Sequence, residues 1–219
     1  MTTPRRGPGR PRRTDQHTTP EMIIEIAAGL FARRGFDAVG MREVAAACGV
    51  DVATVHHHVG TKAALYEGCF ARVFAAESVV LTRAVAAARD GLADGPETAM
   101  AALHELVDVF VDFLEDHPET TGLWLRRWLE PDRHAELDER YSAPLYRAVE
   151  QVLTDADAAG VLSEPQPHLA VRSLVWSVHA HVVGLLAGAD GARRRREFRT
   201  FAHRWLDRMY APPRPRQGT

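Results

Sequence analysis

An all-α fold of about nine helices follows from three properties of the sequence. Apolar residues recur at three- and four-residue spacing, alanine is abundant, and runs of β-branched residues are few. The hydrophobic share, 46%, suffices for a packed core in 219 residues, which excludes a disordered chain. The length allows one large domain, or one small and one medium domain, and the charge is divided in the latter way. Residues 1–65 carry nine basic and six acidic side chains, or +3, in a chain of net charge −2, which leaves −5 for the rest. A basic N-terminal part on an acidic body is the asymmetry expected when one end of a protein meets phosphate.

Residues 1–17 have no hydrophobic period and read as a disordered basic arm. Within it Gly9-Arg10-Pro11-Arg12 is similar to the core of an AT-hook, so Arg10 and Arg12 can enter a minor groove. A solvated tail giving only non-specific phosphate attraction is the equal alternative. The first helix starts at Thr18-Thr19-Pro20-Glu21, a Thr cap followed by Pro in the first turn. Its apolar side is Ile23, Ile24, Ala27, Ala28, Leu30 and Phe31, and it stops at Gly35, after which Phe36 and Val39 bridge to the next helices. Met41–Cys48 and Val52–Val59 are two short helices around Gly49-Val50-Asp51. Glycine takes the positive φ that ends the first, and Asp51 caps the second. This is a helix-turn-helix, whose second helix enters the DNA major groove. The reading-head domain is 18–66.

The remaining helices form a C-terminal domain, 67–210. A helix capped by Thr61 runs into the high eighties and breaks at Gly91–Pro96. Glu97–Asp116 follows with a core face of Leu103, Leu106, Val107, Phe110, Phe113 and Leu114. Pro118 opens a helix carrying Trp124 and Trp128, which Pro131 interrupts. Arg133–Tyr141 is highly charged and fits helix or loop. Ser142–Ala159, Gln166–Ala187 and Ala192–Tyr210 are helical, and 211–219 is an unstructured tail. The penultimate helix is apolar nearly all round and carries a small-residue stripe of Ser173, Ser177, Ala180, Gly184 and Gly188. Such a helix needs cover on most sides. A homodimer through the last two helices of each chain supplies it. Central burial within the monomer is the alternative, and a membrane span is disfavoured because the stretch is short and contains His179 and His181.

From Ile23 to Leu65 the residues resemble the DNA-binding domain of the TetR family of bacterial transcriptional regulators. The resemblance rests on I-I-x-x-A-A-x-x-F-x-x-x-G-F at Ile23–Phe36, R-E-V-A-x-x-C-G-V at Arg42–Val50, A-T-V-x-x-H-V at Ala53–Val59, and Thr61-Lys62 with Leu65. It implies a homodimeric repressor that binds a palindromic operator in double-stranded DNA. It also implies a C-terminal cavity for a small apolar or aromatic inducer. Carried over by residue, Arg42, Val52, Ala53, Thr54, His56, His57, His58, Thr61 and Lys62 face DNA. Val52, Ala53 and Thr54 stand at base edges, while His56, His58 and Lys62 stand at phosphates. The chain departs from the pattern at His56, where Tyr is usual, at Val59 for Phe, and at Gly40 for a Ser or Thr cap. Candidate ligand-binding residues are Phe110, Phe113, Leu114, Trp124, Trp128, Tyr146, Trp176 and His179, each also readable as core packing.

Other chemistry finds little support. Three successive histidines on a helix point 100° apart and cannot converge on one metal ion. Cys48 and Cys69 have no metal-ligand spacing and read as reduced cytoplasmic thiols. A Gly-rich phosphate loop, a nucleophile elbow and a paired-carboxylate motif are all missing from the sequence, so neither an enzyme nor a cofactor is expected. An activator, a regulator without a ligand, and an architectural DNA-binding protein remain as alternatives.

Overall fold

Local capping sets the start of the first helix. Thr19 lies in extended backbone ahead of Pro20, and its hydroxyl accepts the Met22 N–H at 3.3 Å. In the computed structural model, which describes residues 18–130, 132–164, 166–188 and 190–210, α1 is Pro20–Ala38. Gly35 interrupts it with φ 79, a conformation open to glycine without a Cβ clash. Helix α2 (Met41–Cys48) ends at Gly49, φ 71, and α3 (Val52–Val59) begins on Asp51, whose carboxylate accepts the Thr54 N–H at 2.7 Å. Helix α4 (Lys62–Ala93) starts on Thr61, whose hydroxyl accepts the Ala64 N–H at 3.1 Å. Gly40, before α2, offers no side-chain cap, and its carbonyl alone receives the Glu43 and Val44 N–H groups. The arm with Arg10 and Arg12, Pro131, and the tail lie outside the described residues.

The described residues divide into two compact units on either side of the Cys69–Phe70 junction, inside α4. In the first unit Ile23, Ala27, Ala28 and Phe31 of α1 are buried with Val39, Val44, Ala45, Val55 and Leu65. An aromatic cluster ties α1 to the start of α4. Tyr66 meets Phe31 and Phe36 edge-on, both at 5.0 Å between centroids, and Phe31 stacks on Phe36 at 6.1 Å. The Cys69 thiol donates to the Leu65 carbonyl.

The second unit is organised around α5 (Pro96–Asp116), which buries Leu103, Leu106, Val107, Phe110, Val111, Phe113 and Leu114. Helices α6 (Pro118–Leu129), α8 (Pro167–Leu186) and α9 (Gly191–Tyr210) pack on it, and α7 (Ala143–Ala158) packs on α8. A ladder of charged contacts joins α5 to α9. His104 pairs with Asp207 at 2.8 Å, Asp108 with His203 at 3.0 Å, Asp112 with Arg199 at 2.5 Å, and Glu115 with Arg195 at 3.0 Å.

Three details differ from the sequence reading. Gly91 does not break α4, which continues to Ala93. A Cβ on Gly91 would lie 3.2 Å from Ala102 Cβ and 3.3 Å from the Thr98 carbonyl, so this glycine admits α5 at close range. The turn falls at Gly95, φ 108. The charged segment after α6 is neither plain helix nor open loop. Arg127, 4% exposed, donates to the carbonyls of Glu130 and His134 and to Asp138 Oδ2, and a π-helical turn at Asp138–Ser142 leads into α7. In the small-residue stripe of α8, Gly184 and Gly188 receive Arg194 of α9, whose guanidinium donates to the Gly184 carbonyl at 2.6 Å.

Helix α8 is long and apolar enough to cross a bilayer by length and composition, with 33% of its most apolar window buried within the chain. Its outward side carries Leu169, Trp176 and Val183, seven residues apart and therefore on one face.

The aromatic cluster generates a stability prediction. Phe31→Ala should remove about 3–5 kcal/mol and lower the urea midpoint of the first unit. An unchanged midpoint would show that the cluster does not hold that unit together.

Candidate DNA interface and ligand cavity

The helix-turn-helix is rigid at both ends of its second helix. At the front, Asp51 is held below the usual carboxylate range by the Thr54 backbone N–H first, and then by the Thr54 side chain. At the back, the Gly60 N–H donates to the His56 carbonyl, while His56 Nδ1 lies 2.7 Å from the Gly60 carbonyl. A carbonyl only accepts, so Nδ1 carries the proton. Between these ends Ala53, His56 and His57 are exposed, while Val52, Thr54 and His58 are half-buried. The rings of His57 and His58 meet edge-on at 5.5 Å.

Two cations flank α3. Arg42, exposed in the first turn of α2, has no ion-pair partner among the described residues. Its neighbour Glu43 is taken by Arg34. Lys62 stands in the first turn of α4 with its ammonium 4.3 Å from the centroid of Phe36. That contact steers the charge without neutralising it. Among the described residues, no three His, Cys, Asp or Glu side chains gather where they could hold a metal ion.

The second unit contains an apolar cavity of about 60 Å³ between α4, α5, α7, α8 and α9. Its walls include Leu81, Leu103, Phe110, Tyr146, Leu174, Trp205 and Tyr210. One acid lies among them. Glu77, 8% exposed, is pushed up to about 7 by burial. It makes no hydrogen bond or ion pair among the described residues. Tyr146 is pushed well above its ordinary value, by burial first and then by the nearby Glu77.

Residues 23–69 match the family of "bacterial regulatory proteins, tetR family". The match lies within the first compact unit, which contains the helix-turn-helix. No curated protein matches its sequence. Among solved structures, a TetR-family transcriptional regulator from Pectobacterium atrosepticum is 17% identical with a TM-score of 0.57, over 94% of this chain and 100% of that one. The ketosteroid transcriptional regulator KstR2 of Mycobacterium tuberculosis is 16% identical, TM-score 0.63, over 90% and 97%. The hemolysin II transcriptional regulator HlyIIR is 17% identical, TM-score 0.59, over 81% and 95%. At these identities the structures establish a shared fold.

All the described DNA-facing candidates, Arg42 through Lys62, fall on α2, α3 or the start of α4. The ligand-binding candidates separate. Phe110 and Tyr146 line the cavity. Phe113, Leu114 and Trp124 are buried in packing outside its lining. Trp128 and Trp176 meet at 5.0 Å along a separate cleft that Tyr146 also borders. His179 is buried beside the Thr121 hydroxyl at 2.9 Å and pushed down to about 4 by burial, so it is a neutral core residue. Glu77, Trp205 and Tyr210 were missed by sequence reasoning. Glu77 had a usable signal, because it interrupts the otherwise apolar stripe Val73, Leu81, Ala84 of α4 at helical spacing.

The buried acid makes stability depend on pH. A raised carboxyl contributes stability that is complete below its ordinary value of 4.5 and is lost as pH rises through about 7. Glu77→Gln removes that titration. Its advantage over wild type in urea unfolding should grow across this interval by roughly 3 kcal/mol and then level off. A pH-independent difference would contradict the burial.

Proposed function

We propose that this TetR-family transcriptional regulator acts as a repressor that binds a palindromic operator as a homodimer and is released by a small ligand. The observation that carries the DNA part is the doubly capped α3, with Ala53, His56 and His57 exposed and Lys62 fixed beside it. The N-terminal residues of α3 meet base edges, with Thr54, the methyl groups of Val52 and Ala53, and Arg42 giving direct readout. His56, His57, His58, Thr61 and Lys62 hold phosphates and set the register. Arg10 and Arg12 add charge, and a minor-groove contact where the sequence allows it. Proteins with this role work in the cytoplasm, where Cys48 and Cys69, both free thiols, remain reduced.

Dimerisation is supported by apolar side chains that the single chain leaves uncovered. Trp176 and Val183 on α8 and Phe201 and Met209 on α9 are 44–58% exposed. A two-fold pairing of the last two helices covers them. Ligand release is supported by the cavity, and by α4 being one continuous helix from Lys62 to a wall containing Glu77 and Leu81. A ligand that prefers one setting of α4 shifts the spacing of the two recognition helices, by no more than its differential affinity for the two settings.

The phosphate role of Lys62 tests the docking. Lys62→Ala should weaken binding to all DNA sequences and reduce the slope of log K against log salt by about 0.9 for each phosphate that is no longer neutralised. Unchanged affinity and slope would mean that another surface meets DNA.

A further inference from the structure

The cavity holds an unpaired acid in an apolar wall. We propose that its ligand is an amphipathic base, with an apolar body among the leucines and a protonated amine paired with the Glu77 carboxylate. The inference rests on the ligand-release reading above and specifies the ligand's chemistry.

Three observations carry it. First, Glu77 is more than nine-tenths buried, lines the cavity and makes no hydrogen bond or ion pair among the described residues. A buried polar group without a partner is costly, and a charged one more so, so the protein keeps this site at the expense of stability. Second, the described lining contains no Lys, Arg or His. An anionic ligand would meet a second acid and no counter-charge. An ammonium supplies the missing counter-charge, and charge-assisted hydrogen bonds are the strong ones in a low-dielectric site. Third, Tyr146 lines the same cavity close enough to Glu77 to feel its charge, and its hydroxyl stays protonated and can donate to the carboxylate while the amine binds. The rest of the wall is aliphatic or aromatic, including Leu103, Leu174 and Trp205, and favours an apolar body. Neutralisation of the acid and burial of the body then favour the ligand-bound arrangement of α4 together.

A matched set of probes tests the class. Propylamine, 2-pentanone and butyrate carry the same propyl body, short enough for a cavity of about 60 Å³, with an ammonium, a ketone or a carboxylate. Titration calorimetry on the full chain near neutral pH should show the amine binding at least about tenfold more tightly than the other two. Glu77→Gln should abolish that preference while leaving the ketone's affinity within about threefold. Tighter binding of the ketone would mean that Glu77 serves as a neutral donor and would overturn the proposal. So would tighter binding of the carboxylate, no binding of the amine, or a preference that survives Glu77→Gln. Adding each probe to the DNA complex separates the two readings. Amine binding through Glu77 without DNA release leaves the ligand class standing and removes ligand release. DNA release by the ketone or carboxylate alone keeps ligand release and removes the amine.

Discussion

The packing of Tyr66 against Phe31 and Phe36 is the contact on which the reading head depends. Three short helices cannot bury much apolar surface, and α2 and α3 have only eight residues each. Helices of that length are marginal alone. They gain order from docking on α1 and on the first turns of α4, which the aromatic cluster joins. The same cluster positions the cation proposed to meet DNA, because Lys62 extends over the Phe36 ring. Packing and electrostatics thus meet in one group of side chains, and a change there reaches both the fold of the unit and its charge toward DNA.

The C-terminal unit is built on a different balance. Helix α5 contributes an apolar face to the core and a row of acids to α9, where Asp108, Asp112 and Glu115 meet His203, Arg199 and Arg195, and Glu115 also meets His181 of α8. Most of these pairs are partly exposed and each adds little stability, although together they fix the register of α9. That register matters because α9 supplies Trp205 and Tyr210 to the cavity. Glu77 works against stability in the same unit. A buried acid without a counter-ion is what a ligand site needs and what a pure scaffold avoids, and the well-packed α5 core offsets it.

The most local parts of the fold were legible in the sequence. Thr19, Asp51 and Thr61 cap helices because short side chains with an oxygen satisfy N–H groups three residues on, and that rule needs no tertiary information. Gly49 and Gly160 end helices with positive φ for an equally local reason. Gly91 escaped because its role is set by Ala102 and Thr98 on another helix. The Arg127 hub escaped because a guanidinium with three acceptors reads in sequence as one more surface charge. The described DNA-facing candidates, which the family resemblance supplied, lie on α2, α3 and the start of α4, helices whose bounds are set locally. The cavity draws on five helices, so the aromatic residues expected to form it were divided among wall, core and a separate cleft.

Hydroxyl-radical footprinting tests most directly whether two copies of α3 read one short DNA site. On DNA selected for binding by the whole chain, two protected segments centred about one helical turn apart, or a small multiple of it, are expected within an inverted repeat. Broad protection without an inverted repeat, or a single protected half-site at saturation, would contradict it.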